Sequence, residues 1–131
     1  MELLHKDLTD KIIKAFYEVY NELGYGFLEK VYENALCYEL SLLGLSAIKQ
    51  KPIVVHYKKQ NVGEYFSDIL VENTVILELK ATPLCEEHDL QLLNYLKATN
   101  IEVGLLLSFG KNPKFIRKVF QNKLKANRNE S

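Results

Sequence analysis

The chain has 131 residues, 47% of them hydrophobic and 11% aromatic, with 17 basic and 17 acidic side chains. That length suits one domain over 1–131, and that apolar share excludes general disorder. Zero net charge excludes a uniformly basic polymer binder; with no apolar run of transmembrane length and no start resembling a signal peptide, a cytoplasmic protein without a membrane partner is expected.

The first predicted element is a helix. Leu8, Ile12, Ile13, Phe16, Val19, Tyr20 and Leu23 recur at helical spacing, with Thr9 or Asp7 as its cap. "LGYG" at 23–26 ends it, because two glycines two apart break a helix cheaply. A second helix is predicted over 27–43, with Val31, Ala35, Leu36, Leu40, Leu42 and Leu43 on its apolar side and Gly44 as its stop.

Cys37, on that helix, and Cys85 lie far apart and form no CxxC pair, so two reduced thiols partly packed in the core are expected.

The texture then becomes β-rich. Strands are predicted over 51–57, 64–71 and 75–81, with turns at 58–63 and 72–74. Residues 86–100 read as a helix with acids at its start, and 102–110 as a strand buried on both faces. A last helix is predicted over 113–126 through Phe115, Ile116, Val119, Phe120 and Leu124, with basic outer faces. A three-strand meander, a crossover helix and a fourth strand imply an α/β fold with a mixed four-stranded sheet flanked by helices.

Charge is unevenly placed. From Lys111 onward seven basic residues face the single acid Glu130, a tail of +6 beside a body of −6. Such a tail suits contact with phosphates, and a solvated helix end explains it equally well.

Three charges interrupt the predicted hairpin "YFSDILVENTVILELKA" (65–81): Asp68, Glu78 and Lys80. Glu78 and Lys80 share a face by strand alternation. If the turn is Glu72, Asn73 and Thr74, then Val71 pairs with Val75 and Asp68 falls opposite Glu78, with Cβ atoms about 5 Å apart. A two-residue turn would set Asp68 opposite Leu77, on the wrong face. Two carboxylates so close repel each other unless a cation joins them, and a hard divalent ion takes oxygen ligands of this kind. Lys80 would add an ammonium to orient an attacking water or to stabilise charge on a phosphate. The competing reading is a solvated cross-strand ion pair.

This pattern resembles the active-site hairpin of the PD-(D/E)XK nuclease superfamily, with Asp68 as its D and "ELK" (78–80) as its (D/E)xK. "GFLEKVY" (26–32) is similar to the G-x-x-E-x-x-Y signature of a family of small proteins in that superfamily. "QLLNY" (91–95) resembles the Q-x-x-x-Y helix motif of RecB-type members.

The resemblance implies a restriction-endonuclease-like αβββαβ core over about 8–120, to which the residues read above add an extra N-terminal helix, a basic C-terminal helix and a tail over 121–131 that can remain disordered. It implies a metal-dependent nuclease that hydrolyses phosphodiester bonds in nucleic acid, with DNA the expected polymer. Glu29, Asp68, Glu78 and the Leu79 carbonyl would hold Mg²⁺, with Mn²⁺ as a substitute, and Lys80 would be the catalytic lysine. Gln91 and Tyr95 would orient the site. Lys114, Arg117 and Lys118 on the last helix would hold the nucleic-acid backbone, and a homodimer or a larger nuclease or helicase partner would supply selectivity. Gly26 and Tyr32 would be structural. The alternative is a non-catalytic nucleic-acid- or protein-binding domain of the same fold. Two departures stand out: Ser67 replaces the proline before the Asp, and Phe66 occupies a position where an Arg often sits.

Overall fold

Ile12, Ala15, Phe16 and Val19 fall on one side of helix α1 (Lys6–Leu23) and are all buried, as their spacing requires. The computed structural model describes residues 3–125. Helix α2 (Glu29–Leu42) follows and buries Tyr32, Leu36 and Leu40. Strands β1 (Ala47–Tyr57), β2 (Gln60–Val71) and β3 (Val75–Lys80) form the meander; then come helix α3 (Glu86–Ala98) and strands β4 (Val103–Ser108) and β5 (Lys114–Val119). Among the described residues no helix is long and apolar enough to cross a membrane.

The fold is α/β with a mixed sheet in the order β1-β2-β3-β4-β5, flanked by helices. β3 and β4 pair in parallel through the α3 crossover, and the other neighbours pair antiparallel. One face packs on α1 and α2 through Ile69, Val71, Leu77, Leu79, Leu105 and Leu107. The other packs on α3, where Leu92, Tyr95 and Leu96 meet Leu70, Ile76 and Leu106.

The sheet has five strands, not the four expected, because the segment predicted as a basic last helix is β5. All six residues of β4 are buried, so an unpaired β4 edge would leave backbone groups without partners. Pairing from Val103↔Val119 to Ser108↔Lys114 satisfies them. Phe115 then meets Tyr17 on the α1 side, with ring centroids 6.4 Å apart, while Ile116 packs on the α3 side. Tertiary pairing overrides the helical spacing, and the aromatic and β-branched content of 115–120 tolerates the change. A 3₁₀ turn at Asn122–Leu124 follows; the part of the expected disordered tail at 126–131 lies outside the described residues.

Smaller corrections concern ends. The residue preceding α1 is His5, not Thr9 or Asp7, and the Thr9 hydroxyl donates to the His5 and Lys6 carbonyls instead. Cys85 is exposed at the start of α3, where its N–H donates to His88 Nδ1, rather than packed in the core. The predicted turn at 58–63 shrinks to Lys58 and Lys59, so β1 and β2 make a longer hairpin than expected.

Gly104 sets how closely α3 approaches. A Cβ there would lie 2.7 Å from Leu92 Cδ1, and Leu92 is fully buried. Gly104→Ala should therefore cost about 1–3 kcal/mol by overpacking. A urea unfolding curve checks this, with an unchanged midpoint as the contrary result.

Candidate active site

The loop between β2 and β3 is the three residues Glu72, Asn73 and Thr74, and Glu72 and Asn73 both have positive φ. Val71 pairs with Val75, Leu70 with Ile76 and Ile69 with Leu77. The next rung would join Asp68 to Glu78, but the ladder stops there. The two side chains take its place. Leu79 N–H donates to Asp68 Oδ2 at 2.7 Å, and Asp68 N–H donates to Glu78 Oε2 at 3.1 Å. On the β1 side the rung at Gln50 is missing as well, and Gln50 carries a φ of 54°. The backbone around Asp68 is thus parted from both neighbours, and its carboxylate lies in the gap.

Leu77 and Leu79 belong to the α1/α2 face, so alternation puts Glu78 and Lys80 on the α3 face with Ile76. Gln91 and Tyr95 arrive there from α3, with Gln91 Nε2 donating to the Tyr95 hydroxyl at 2.6 Å. Glu29 comes from the other layer. It opens α2, and its Oε2 accepts the Ala81 N–H at 3.4 Å, just past Lys80. Gly26, with φ 106°, and Tyr32 fix that approach. The Tyr32 hydroxyl donates to the Gly24 carbonyl at 2.7 Å and accepts the Phe27 N–H at 3.1 Å, and its ring stacks on Phe109 at 4.3 Å.

Burial pushes the Glu78 carboxyl up to about 8, with the Asp68 charge as the next cause. Burial also raises Asp68; the Leu79 N–H opposes this, and Glu33 and Glu29 add to it. Lys80 lowers both. Burial and then Glu78 push the Tyr95 phenol up to about 12, so it stays protonated and can donate. Asp68 and Glu78 each use one oxygen on a backbone N–H, and the other takes no hydrogen bond among the described residues. This crowded, desolvated all-oxygen pair fits a hard divalent cation. Among the described residues, however, no three His, Cys, Asp or Glu side chains converge closely enough to hold a metal by themselves.

Glu33 is not among the expected site residues. It lies four residues after Glu29, one turn along the same side of α2, and is 5% exposed. Its Oε1 accepts Gln50 Nε2 at 3.2 Å; its Oε2 is buried without a hydrogen-bond donor, and Lys30 Nζ lies 3.7 Å away. The i,i+4 spacing of two acids was the only signal, and it is a weak one.

The basic residues do not form one patch. The Arg117 guanidinium donates to the Leu4 carbonyl, and Lys118 pairs with Asp89 at 2.8 Å. Lys114 is exposed and opposite Ser108, which is itself opposite Lys80. Two strand spacings, roughly 10 Å, separate the two lysines on the α3 face.

A family model described as the PD-(D/E)XK nuclease superfamily matches residues 6–119. The chain belongs to that superfamily, which supports a nuclease-like function in general and a nucleic acid as substrate. Neither a curated protein nor a solved structure matches the chain.

The raised Glu78 value has a thermodynamic consequence. Between its ordinary value of 4.5 and about 8, the folded state keeps a proton that the unfolded state has lost. Stability of the metal-free protein should therefore fall as pH rises through that window. Melting temperatures in chelator at pH 5.5 and pH 8 check this. Glu78→Gln should flatten the decline, and an equally steep slope in the variant would contradict the assignment.

Proposed function

We propose that the protein is a divalent-metal-dependent phosphodiesterase acting on nucleic acid, DNA in the first instance, and that it belongs with the G-x-x-E-x-x-Y proteins. The carrying observation is the reciprocal bonding of Asp68 and Glu78 across the parted strands, with Lys80 alongside. The structural roles of Gly26 and Tyr32 at the start of α2 support the subgroup, since they aim Glu29 at the end of β3.

Asp68, Glu78, Glu29 and the Leu79 carbonyl would hold Mg²⁺, or Mn²⁺ in its place. The bound ion would supply positive charge that eases deprotonation of a water and offsets charge on the phosphate. Lys80 positions that water and stabilises the developing charge. Tyr95, protonated and braced by Gln91, donates toward the acids or a phosphate oxygen. Lys114, across Ser108, meets a neighbouring phosphate, while Asp89 neutralises Lys118 and Arg117 lies on the opposite face of the sheet. A homodimer or a larger nuclease or helicase partner would provide sequence selectivity.

Cleavage of single- and double-stranded DNA in Mg²⁺ tests the reading. Lys80→Ala and Glu78→Gln should each lower the rate by about 100-fold or more. Equal rates in wild type and variants would place the activity elsewhere. Calorimetric titration with Mn²⁺ gives a readout independent of turnover: Asp68→Asn should weaken binding at least about tenfold, and no change would remove Asp68 from the ligand set.

A further inference from the structure

β2 pairs with β1 from Gln60 to Val71 but with β3 only from Ile69 onward. The outer hairpin therefore extends beyond the sheet as an arm, and β2 runs from it directly into Asp68. About 27 Å of strand separates Gln60 from Asp68.

Three observations on this arm point to a ligand. The first is charge. Residues 47–66 carry four lysines against the single acid Glu64, although the first 110 residues sum to −6. Lys49 is engaged with Asn34; Lys51, Lys58 and Lys59 are exposed, with the Lys58 ammonium 5.4 Å from the Tyr57 ring centroid.

The second is backbone conformation. Lys58 and Lys59 form the two-residue turn and have φ of 49° and 67°. A two-residue turn of this kind favours Asn-Gly, because asparagine's short side chain bonds locally and glycine has no Cβ to meet the carbonyl oxygen, whereas lysine enters the left-handed region at a cost. Two lysines there put charge at the tip at the expense of the turn.

The third is an aromatic path to the site. A cavity of about 230 Å³ lies between the arm and α3, lined by Val55, His56, Tyr65, Asn94, Lys97 and Ala98. Tyr65 is 42% exposed, and its ring is 5.4 Å from that of Tyr95, which feels the Glu78 charge. A flat ring, a carboxamide and an ammonium are the groups that hold a base and its phosphate.

We infer that the β1–β2 arm binds an unpaired nucleic-acid strand, with Lys58 and Lys59 on its phosphates and Tyr65 stacked on a base beside the catalytic acids. A duplex keeps its base faces stacked and could meet only the lysines, so the arm selects for single strands. This rests on the nucleic-acid reading of the site and assigns it a substrate form.

Binding in chelator separates the arm from cleavage. Anisotropy of labelled single-stranded DNA, single-stranded RNA and duplex DNA of one sequence is measured against the full chain over a salt series. The double variant Lys58→Asn/Lys59→Gly should bind either single strand at least about fivefold more weakly, with a salt slope shallower by about 1.4. It should also melt about 3 °C higher, since the turn is relieved. Tyr65→Leu should cost about tenfold on single strands and leave duplex binding unchanged.

Unchanged single-strand affinity and salt slope in the double variant would overturn the inference, as would weaker binding accompanied by a lower melting temperature. Equal losses on duplex and single strands with Tyr65→Leu would overturn the stacking role. If the variants bind normally while the wild type cleaves, the arm assignment falls and the phosphodiesterase reading stands. A wild type that binds no nucleic acid in chelator and cleaves none in Mg²⁺ overturns both.

Discussion

Where β2 and β3 part, two side-chain carboxylates do the work of a backbone ladder. Asp68 takes the Leu79 N–H and Glu78 takes the Asp68 N–H, so the strands stay joined without closing on each other. An ordinary rung would have paired amide with carbonyl and left no anionic group in the gap. This substitution brings two acids together in a desolvated place, which is unfavourable for an empty protein and favourable for one that takes up a cation. Lys80 beside them and Glu29 at the strand's end act on the same charge balance.

The rest of the fold serves that gap from two directions. On one face, Tyr32 ties the glycine-rich passage before α2 to its own helix, so Glu29 meets the end of β3. On the other face, Gly104 lets Leu92 settle against β4, so α3 carries Gln91 and Tyr95 close to Glu78. The site lies at the carboxyl ends of the parallel pair β3 and β4, where open α/β sheets commonly place ligands. Buried Ser108 holds the Thr82 carbonyl there and keeps Lys80 and Lys114 in one row.

Charge counted along the sequence and charge placed in space differ. The tail holds most of the positive excess, but strand geometry sends Arg117 to the α1 side and Lys118 to Asp89 on α3. A helix would have gathered these residues on one solvated face; a strand between two layers divides them by alternation. The β1–β2 arm shows the opposite case. Lys51, Lys58 and Lys59 stay exposed where the arm runs past β3, although Lys49 at its base reaches Asn34 of α2 and Ile53 packs on α3.

The sequence by itself determined the helices α1, α2 and α3, the meander, and the three-residue loop that brings Asp68 to the level of Glu78. Each of these follows from short-range periodicity and turn chemistry, which act within a few residues. Tertiary structure alone decided that 114–119 is a strand, since the need is set by the unsatisfied edge of β4 and not by any property of the segment. It alone decided that Glu33 lies buried beside Asp68, because one acid a turn after another looks the same whether it faces solvent or a gap. And it alone parted the strands at Asp68, since two side chains far apart in sequence had to displace backbone partners that each residue, read singly, would have kept.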